Sequence, residues 1–127
     1  LGTIIRIADW FGITQIIASE DTVDLFNPKV VQSTMGSFIR VPVYYTDIVG
    51  FLTATKLPVF GAMLEGKSMY ELENPTTGLL VIGNESKGIR IPIQPLIKQA
   101  ITIPRFGGAE SLNAAVATGI LVSHMKG

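Results

Sequence analysis

Short apolar runs alternate with segments of helical spacing along this chain, and this alternation limits the possible folds more than any other feature. One run, Gly78-Leu-Leu-Val-Ile-Gly83, lies between two glycines and has no polar side chain, which is typical of a strand that a parallel sheet buries on both faces. Near the start, residues 4, 5, 8 and 11 are apolar at helical spacing, and Gly12 is placed to end that helix. Strands in alternation with helices predict an α/β domain built on a mainly parallel sheet flanked by helices.

The other elements are predicted from the same two patterns and from turn residues. Asp47 is a good N-cap for a helix over 48–56, and the last helix is predicted to begin near Glu110 or Ser111. Glycine, asparagine and proline mark 65–76 as turns, and two prolines make 89–97 mostly irregular. Further segments are a short helix near 29–32 and strands over 13–18, 40–45, 58–64, 78–83 and 101–103.

The composition indicates one compact domain and excludes several kinds of site. With 127 residues, 47% of them hydrophobic, the chain has enough apolar material for one core, and two independent domains are not expected. Ten basic residues balance ten acidic ones, so overall charge cannot hold nucleic acid and any RNA contact must be local. The absence of cysteine excludes disulfides, thiolate chemistry and cysteine zinc sites. A mean hydropathy of +0.43 is high for so small a domain and indicates an apolar surface that meets another copy or another domain.

The apolar runs and the start of the chain bear on where the protein acts. No apolar run approaches the roughly 18 residues that a membrane span needs, and no basic segment leads into a small-residue cleavage site. We therefore expect a cytoplasmic protein with no membrane partner. The chain starts at Leu1 without an initiator methionine or a leading strand, so we expect it to continue a longer protein.

Two glycine-bearing loops follow predicted strands and mark a candidate ligand site. One is Gly83-Asn-Glu-Ser-Lys-Gly88, and the other is Pro104-Arg-Phe-Gly-Gly108. In open parallel sheets, ligands bind at the carboxyl ends of strands, so both loops are expected on that edge. Ser111 can cap the helix after the second loop, or that helix can offer its first N–H groups to a ligand. The residues alone leave both interpretations open.

Several familiar site patterns are missing. The chain has neither G-x-G-x-x-G at a helix entry nor G-x-x-x-x-G-K-[ST], which argues against a Rossmann dinucleotide site and a P-loop. The single histidine, His124, cannot form a histidine metal cluster, so we expect no metal and interpret it as a surface residue or a partner of the helix dipole. A serine triad fails too, because His124 lies at the far end of the helix that Ser111 is predicted to begin.

Three short motifs lie far apart in the sequence. The first is Gly2-Thr-Ile-Ile-Arg6, followed by Ala8-Asp9 and Phe11-Gly12; the second is Gly83-Asn-Glu85-Ser-Lys-Gly88 at the end of a strand. The third is Ile103-Pro104 with Gly107 and then Ser111-Leu112-Asn113. In order and spacing, these segments resemble the SpoU (TrmH-like) RNA ribose 2′-O-methyltransferases of the SPOUT class over essentially the whole chain, and the third motif is the most specific.

The chain departs from the family pattern at two places. The asparagine of the first motif would fall immediately before Leu1, and the family's first strand is absent as well. We therefore interpret 1–127 as a methyltransferase catalytic domain truncated at its N-terminus. Arg105 and Phe106 occupy positions that are often methionine and a small residue in the family.

The resemblance implies a C-terminal trefoil knot, a homodimer and S-adenosylmethionine as the cofactor. The knot is one of the rare exceptions to the rule that chains do not thread their own loops. A dimer agrees with the apolar surface inferred from hydropathy. Glycine at 83 and 107 would let the backbone approach the adenine and ribose of the cofactor, because a Cβ there would hold the chain away. The cofactor-binding residues implied are Thr34, Met35, Gly36, Ile82, Gly83, Asn84, Gly88, Ile103, Pro104, Gly107, Ser111 and Leu112.

The resemblance also implies the catalytic residues. The methyl group would pass to a ribose 2′-oxygen, so rate must come from alignment and from stabilising the developing alkoxide. Arg6 would be a fixed cation near that oxygen, because a guanidinium is rarely deprotonated; its role as a general base is the alternative. Glu85 would orient Arg6 or the ribose, or cap backbone N–H groups locally. Asn113 and Ser111 would hold the substrate or Glu85 through hydrogen bonds, and simple helix capping by these residues is compatible with that role.

The expected activity is methylation of a ribose 2′-hydroxyl in rRNA, with tRNA as the alternative substrate. Four cations lie in or beside the three motifs: Arg6, Lys87, Arg90 and Arg105. They either form a basic rim for RNA or are scattered solvated charges. Other interpretations are a non-catalytic module that binds S-adenosylmethionine or RNA, a truncated inactive fragment of the enzyme, and an unrelated α/β enzyme that acts on a small molecule.

Overall fold

The computed structural model describes residues 2–19, 41–73, 77–83, 88–108 and 112–126. The chain divides into two compact units, Leu1–Phe51 and Leu52–Gly127, so the single domain expected from composition stays a prediction. The described helices are α1 (Gly2–Trp10), α2 (Ile48–Ala54) and α3 (Ala114–Lys126), with 3₁₀ turns at Met69–Glu71 and Gln94–Leu96. The described strands are β1 (Ile16–Ala18), β2 (Val43–Tyr45), β3 (Val59–Ser68), β4 (Leu79–Val81) and β5 (Gln99–Thr102).

Helix α1 begins the first unit and ends where the sequence predicted. Gly12 has a left-handed φ of +73°, its N–H donates to the carbonyl of Asp9, and the N–H of Ile13 donates to Ala8 at 2.8 Å. These two bonds make a Schellman ending, which favours glycine at this position. The buried face of α1 packs with Val41 around a small core, to which Ile13, Ile16 and Val43 also belong.

Strands β1 and β2 pair in parallel in the first unit. Ile16 is opposite Val43 and Ala18 is opposite Tyr45. Both strands are shorter than the predicted 13–18 and 40–45, but each lies inside the predicted range. The predicted short helix near 29–32 lies outside the described residues.

The described part of the second unit contains a parallel sheet in the order β4-β3-β5. Phe60 of β3 is opposite Leu80 on one side and Gln99 on the other. Since both pairings are parallel, the α/β class with a mainly parallel sheet is confirmed. The predicted irregular segment 89–97 is also confirmed, as turns and one 3₁₀ turn.

Strand β3 is longer than predicted, because the expected turn segment 65–76 begins with four residues that remain in the strand. Ile101 is the partner of both Ala62 and Lys67, so residues 63–66 form an irregularity between two paired stretches. The Oγ1 of Thr102 donates to the Leu64 carbonyl at 3.0 Å and holds this irregularity against β5. Backbone pairing to β5 therefore overrides the turn preference of a glycine and polar residues.

The core of the second unit lies between this sheet and α3. Phe60, Met69, Ile101 and Leu121 form a buried cluster, and Leu72, Leu80 and Ile103 pack against it. The prediction that α3 begins near residue 110 or 111 is wrong, since the helix begins at Ala114. The Oδ1 of Asn113 accepts from the N–H of Ala115 at 2.8 Å and of Val116 at 3.4 Å, so Asn113 is the N-cap.

The trefoil knot stays a prediction, because residues 84–87 and 109–111, which belong to the implied knot region, lie outside the described residues. Within the described ranges, no helix has the length and apolar character needed to cross a membrane.

Candidate functional site

The two loops predicted to hold a ligand follow neighbouring strands of one sheet. Residues 82–83 leave the carboxyl end of β4, and residues 103–108 leave the carboxyl end of β5. Because β4 and β5 lie on either side of β3 and run parallel to it, both loops begin at the same edge. The predicted common edge is confirmed for these described parts of the two loops.

Gly83 is required by the protein's own backbone. A Cβ at this position would collide with the backbone of Gly88 and Ile89, so glycine lets the two ends of the first loop come together. The sequence predicted that glycine at this position lets the backbone approach the cofactor. The structure gives a reason that applies even without a ligand: with any larger residue at position 83, the loop could not close. Gly88 itself has a left-handed φ of +66°, which also favours glycine.

Gly107 contrasts with Gly83, since nothing in the described protein requires it. No heavy atom of the described residues lies within 4 Å of a Cβ built at Gly107, and its φ is outside the left-handed region. Its neighbour Gly108 has similar open space. Within the described residues, therefore, neither packing nor backbone conformation restricts position 107 to glycine.

The apolar residues of the site divide between the core and the surface. Ile103 packs against the buried cluster of the second unit, and Ile82 and Pro104 are half-buried. Leu112 is 49% exposed, and Phe106, at the tip of the second loop, is 95% exposed. The core contact fixes where the second loop leaves β5, while its tip projects into solvent.

Asn113 has a structural role that the sequence left open. Its Oδ1 is engaged by two backbone N–H groups of α3, so the capping interpretation is confirmed for this residue. Any hydrogen bond that the side chain gives to a substrate must then come from Nδ2, because the amide nitrogen is the donor. Its catalytic role stays a prediction.

Arg6 lies on the solvent face of α1 in the first unit. Gly2, Ile5 and Ala8 form the buried face of this helix, while Thr3, Arg6 and Trp10 are exposed. Trp10 is 84% exposed and follows Arg6 by four residues, which places it about 40° away around the helix axis. Sequence reasoning missed Trp10, although its spacing from Arg6 was a signal that could have found it.

Of the predicted rim cations, Arg90 and Arg105 are exposed in the second unit, each beside one of the two loops. Several predicted residues lie outside the described residues: Thr34, Met35, Gly36, Asn84, Glu85, Lys87 and Ser111.

His124 is half-buried in the last turn of α3, so its predicted position near a helix end is confirmed, and its interaction with the helix dipole stays a prediction. Its ring meets that of Tyr70 edge-on, with centroids 5.5 Å apart and planes at 83°. Within the described ranges, no cluster of histidine, aspartate or glutamate side chains could hold a metal ion.

The chain is similar in sequence to rRNA methyltransferases. The family model described as the SpoU rRNA Methylase family matches residues 1–123. A 23S rRNA (guanosine(2553)-2′-O)-methyltransferase of Bacillus subtilis is 34% identical over 131 residues, which cover 100% of this chain and 53% of the relative. A 23S rRNA (uridine(2479)-2′-O)-methyltransferase of Streptomyces viridochromogenes is 30% identical, over 99% of this chain and 48% of its own length.

Solved structures agree with the sequence relatives. A putative TrmH-family RNA methyltransferase of Porphyromonas gingivalis matches with a TM-score of 0.92 and 42% identity, over 98% of this chain and 53% of the other. An AdoMet-bound rRNA methyltransferase of Sinorhizobium meliloti matches with a TM-score of 0.91 and 32% identity, over 99% and 50%. The chain thus spans about half the length of these relatives.

Proposed function

The chain belongs to the SpoU rRNA methylase family, and on that premise we propose that it transfers a methyl group from S-adenosylmethionine to a ribose 2′-hydroxyl of rRNA. The observation that carries this proposal is that both motif-bearing loops leave the same carboxyl edge of the sheet, where no atom of the described residues lies within 4 Å of a Cβ built at Gly107. Relatives named as 23S rRNA 2′-O-methyltransferases, at 30–34% identity, support the reaction class.

The described residues fit the cofactor. The loop backbone at 82–83 and 103–108 would hold the cofactor through its peptide groups, and Leu112, which is 49% exposed, would add an apolar contact. Beside Gly107 there is room that no described side chain fills. When bound, S-adenosylmethionine supplies a methyl group activated by the sulfonium. We also include Thr34, Met35, Gly36, Asn84 and Ser111 in the cofactor site on the strength of the family motifs.

The protein's own contribution is to hold the nucleophile and stabilise its charge. On the strength of the family motif, Arg6, which is exposed on α1, would be the permanent cation for the phosphate and the 2′-oxygen of a ribose. A preorganised cation at a developing alkoxide lowers the barrier without any proton transfer by the guanidinium itself. In this mechanism Glu85 orients Arg6 or the ribose, and Nδ2 of Asn113 and the hydroxyl of Ser111 hold the substrate.

We further propose a homodimer in the cytoplasm, with tRNA as the alternative substrate class. The support for a dimer is the exposed apolar surface, which includes Leu112 before α3 and Val116 in its first turn, at 49% and 51% exposure. Burying such side chains against a second copy would account for the high mean hydropathy.

The decisive experiment is transfer of a labelled methyl group from S-adenosylmethionine to RNA by the protein that contains this chain. We expect label in rRNA, recovered as alkali-resistant dinucleotides, because a 2′-O-methyl group blocks cleavage of the adjacent phosphodiester. Label found only in tRNA would mean that tRNA, and not rRNA, is the substrate. If neither pool is labelled although calorimetry shows that S-adenosylmethionine still binds, the protein is a non-catalytic binding module and not an enzyme.

The role of Arg6 is tested by a pH–rate profile of Arg6→Lys and Arg6→Ala. If Arg6 is a fixed cation, Arg6→Ala should lower kcat by roughly 10²- to 10³-fold, and Arg6→Lys should recover part of that loss at every pH. Retention of the full rate by Lys with a displaced pH dependence would instead support the base role.

A further inference from the structure

The outer face of α1 has an unusual composition for a solvent face. Trp10 is the only tryptophan in the chain and is 84% exposed, whereas tryptophan is on average among the highly buried residue types. Thr3, Arg6 and Trp10 fall within about 60° of one another around the helix axis, so one face presents a hydroxyl, a cation and an indole. The half-buried Asp9 lies on the flank of this sector, beside Arg6.

This combination matches what single-stranded RNA requires from a protein. Sequence-tolerant binding of single strands combines cations that follow the phosphates with aromatic rings on which bases stack. Side chains four residues apart on a helix have Cβ atoms about 5–6 Å apart, so a nucleotide held at Arg6 leaves the adjacent base within reach of the indole.

We propose that Trp10 is a binding residue of the RNA site, on which an unpaired nucleobase next to the ribose held by Arg6 stacks. The inference rests on the proposed function, since it takes Arg6 as the group that meets the target ribose. It adds that the neighbouring base must be unpaired and splayed from the RNA stack, because an indole can stack only on an exposed base face.

The single tryptophan makes the test direct. Tryptophan emission of this chain is titrated with a short single-stranded oligoadenylate and, in parallel, with an abasic ribose-phosphate oligomer of equal length. Stacking quenches indole emission, so we expect quenching by oligoadenylate and little by the abasic oligomer. Equal quenching by the two oligomers would overturn the proposal, because only phosphate contacts at Arg6 would then be detected.

Variants separate stacking from general apolar contact. Trp10→Leu keeps an apolar side chain without a ring and should weaken RNA binding by roughly 5- to 150-fold, while Trp10→Phe keeps a ring and should retain most of the affinity. Tyr44→Ala removes another exposed aromatic, 52% exposed on β2, and should have no effect. S-adenosylmethionine affinity and thermal unfolding, measured for every variant, verify that each one is folded.

The outcomes distinguish this inference from the proposed function. If wild-type protein methylates RNA and Trp10→Leu has the same KM for that RNA, only the inference is overturned. If wild-type protein transfers no methyl group to any RNA, the proposed function fails whatever Trp10 does. Emission that depends on protein concentration, together with a lack of response to oligoadenylate, would assign Trp10 to an interface between copies and overturn the inference.

Discussion

The two loops at the carboxyl edge of the sheet contain glycine for different physical reasons. At Gly83, a side chain would collide with the backbone of Gly88 and Ile89, so the fold itself requires glycine. At Gly107, a side chain would meet no described atom within 4 Å, and φ is not left-handed. Gly83 is thus required for the stability of its loop, whereas the described residues leave the space beside Gly107 available to a ligand. Substitutions in the two loops should therefore change different measurements.

Gly83→Ala should produce the largest change in stability. The methyl group would sit against backbone atoms that cannot rotate away, so we expect a loss of about 2–3 kcal/mol in the free energy of unfolding. Urea denaturation, with the midpoint falling at constant slope, measures this loss. Gly107→Ala is the matched control and should be close to neutral. Equal losses for the two variants would remove the distinction between the loops.

Gly107→Leu should weaken S-adenosylmethionine binding with little change in stability. The larger side chain would occupy the space assigned to the cofactor, so calorimetry should show at least about a tenfold rise in Kd, or roughly 1.4 kcal/mol. Because the side chain meets solvent in the free protein, unfolding should change by no more than about 0.5 kcal/mol. Unchanged affinity would mean that the cofactor does not use this space.

Gly88→Ala tests whether the first loop is limited by space or by conformation. With φ at +66° and no described atom within 4 Å of a Cβ placed at this position, the cost is conformational only, about 1–2 kcal/mol. Asparagine tolerates left-handed backbone better, so Gly88→Asn should recover part of that stability. If alanine and asparagine are equally costly in urea denaturation, a steric clash operates here too.

Asn113 lies where the second loop meets α3, and it can separate capping from substrate binding. Asn113→Ala should lose about 1 kcal/mol of stability, since two N–H groups of α3 lose their acceptor. Asn113→Asp keeps an equally good cap but removes the amide donor. We expect it to preserve stability and to lower kcat; wild-type kcat in this variant would leave Asn113 as a helix cap only.

Sequence reasoning succeeded where one local pattern determines one structure. The apolar run before Gly83 predicted a parallel strand, which is confirmed, although its residues are half-buried and not buried on both faces as expected. Gly12 predicted the end of α1, because a left-handed backbone leaves few alternatives to glycine. The family motifs located the two loops, but they did not reveal that Gly83 is required by contact with residues five and six positions later.

The failures arose where tertiary contacts decide between local alternatives. Residues 65–68 resemble a turn, yet pairing with β5 keeps them in β3. Ser111 and Asn113 are both good N-caps by residue type, so the sequence could not distinguish them, and in the structure Asn113 caps α3. Residue type alone would predict a buried Trp10, but residue 10 lies on the opposite side of α1 from the apolar residues 4, 5, 8 and 11, so its exposure could have been predicted from that spacing.

The edge-on contact of Tyr70 with His124 gives the molecule a built-in spectroscopic reporter. It joins a 3₁₀ turn after β3 to the last turn of α3, a part of a helix that otherwise frays readily. Since His124 is the only histidine in the chain, its ring protons give one isolated pair of NMR signals, displaced by the neighbouring tyrosine ring. Loss of that displacement on warming, before global unfolding, would record the detachment of the C-terminal helix by itself.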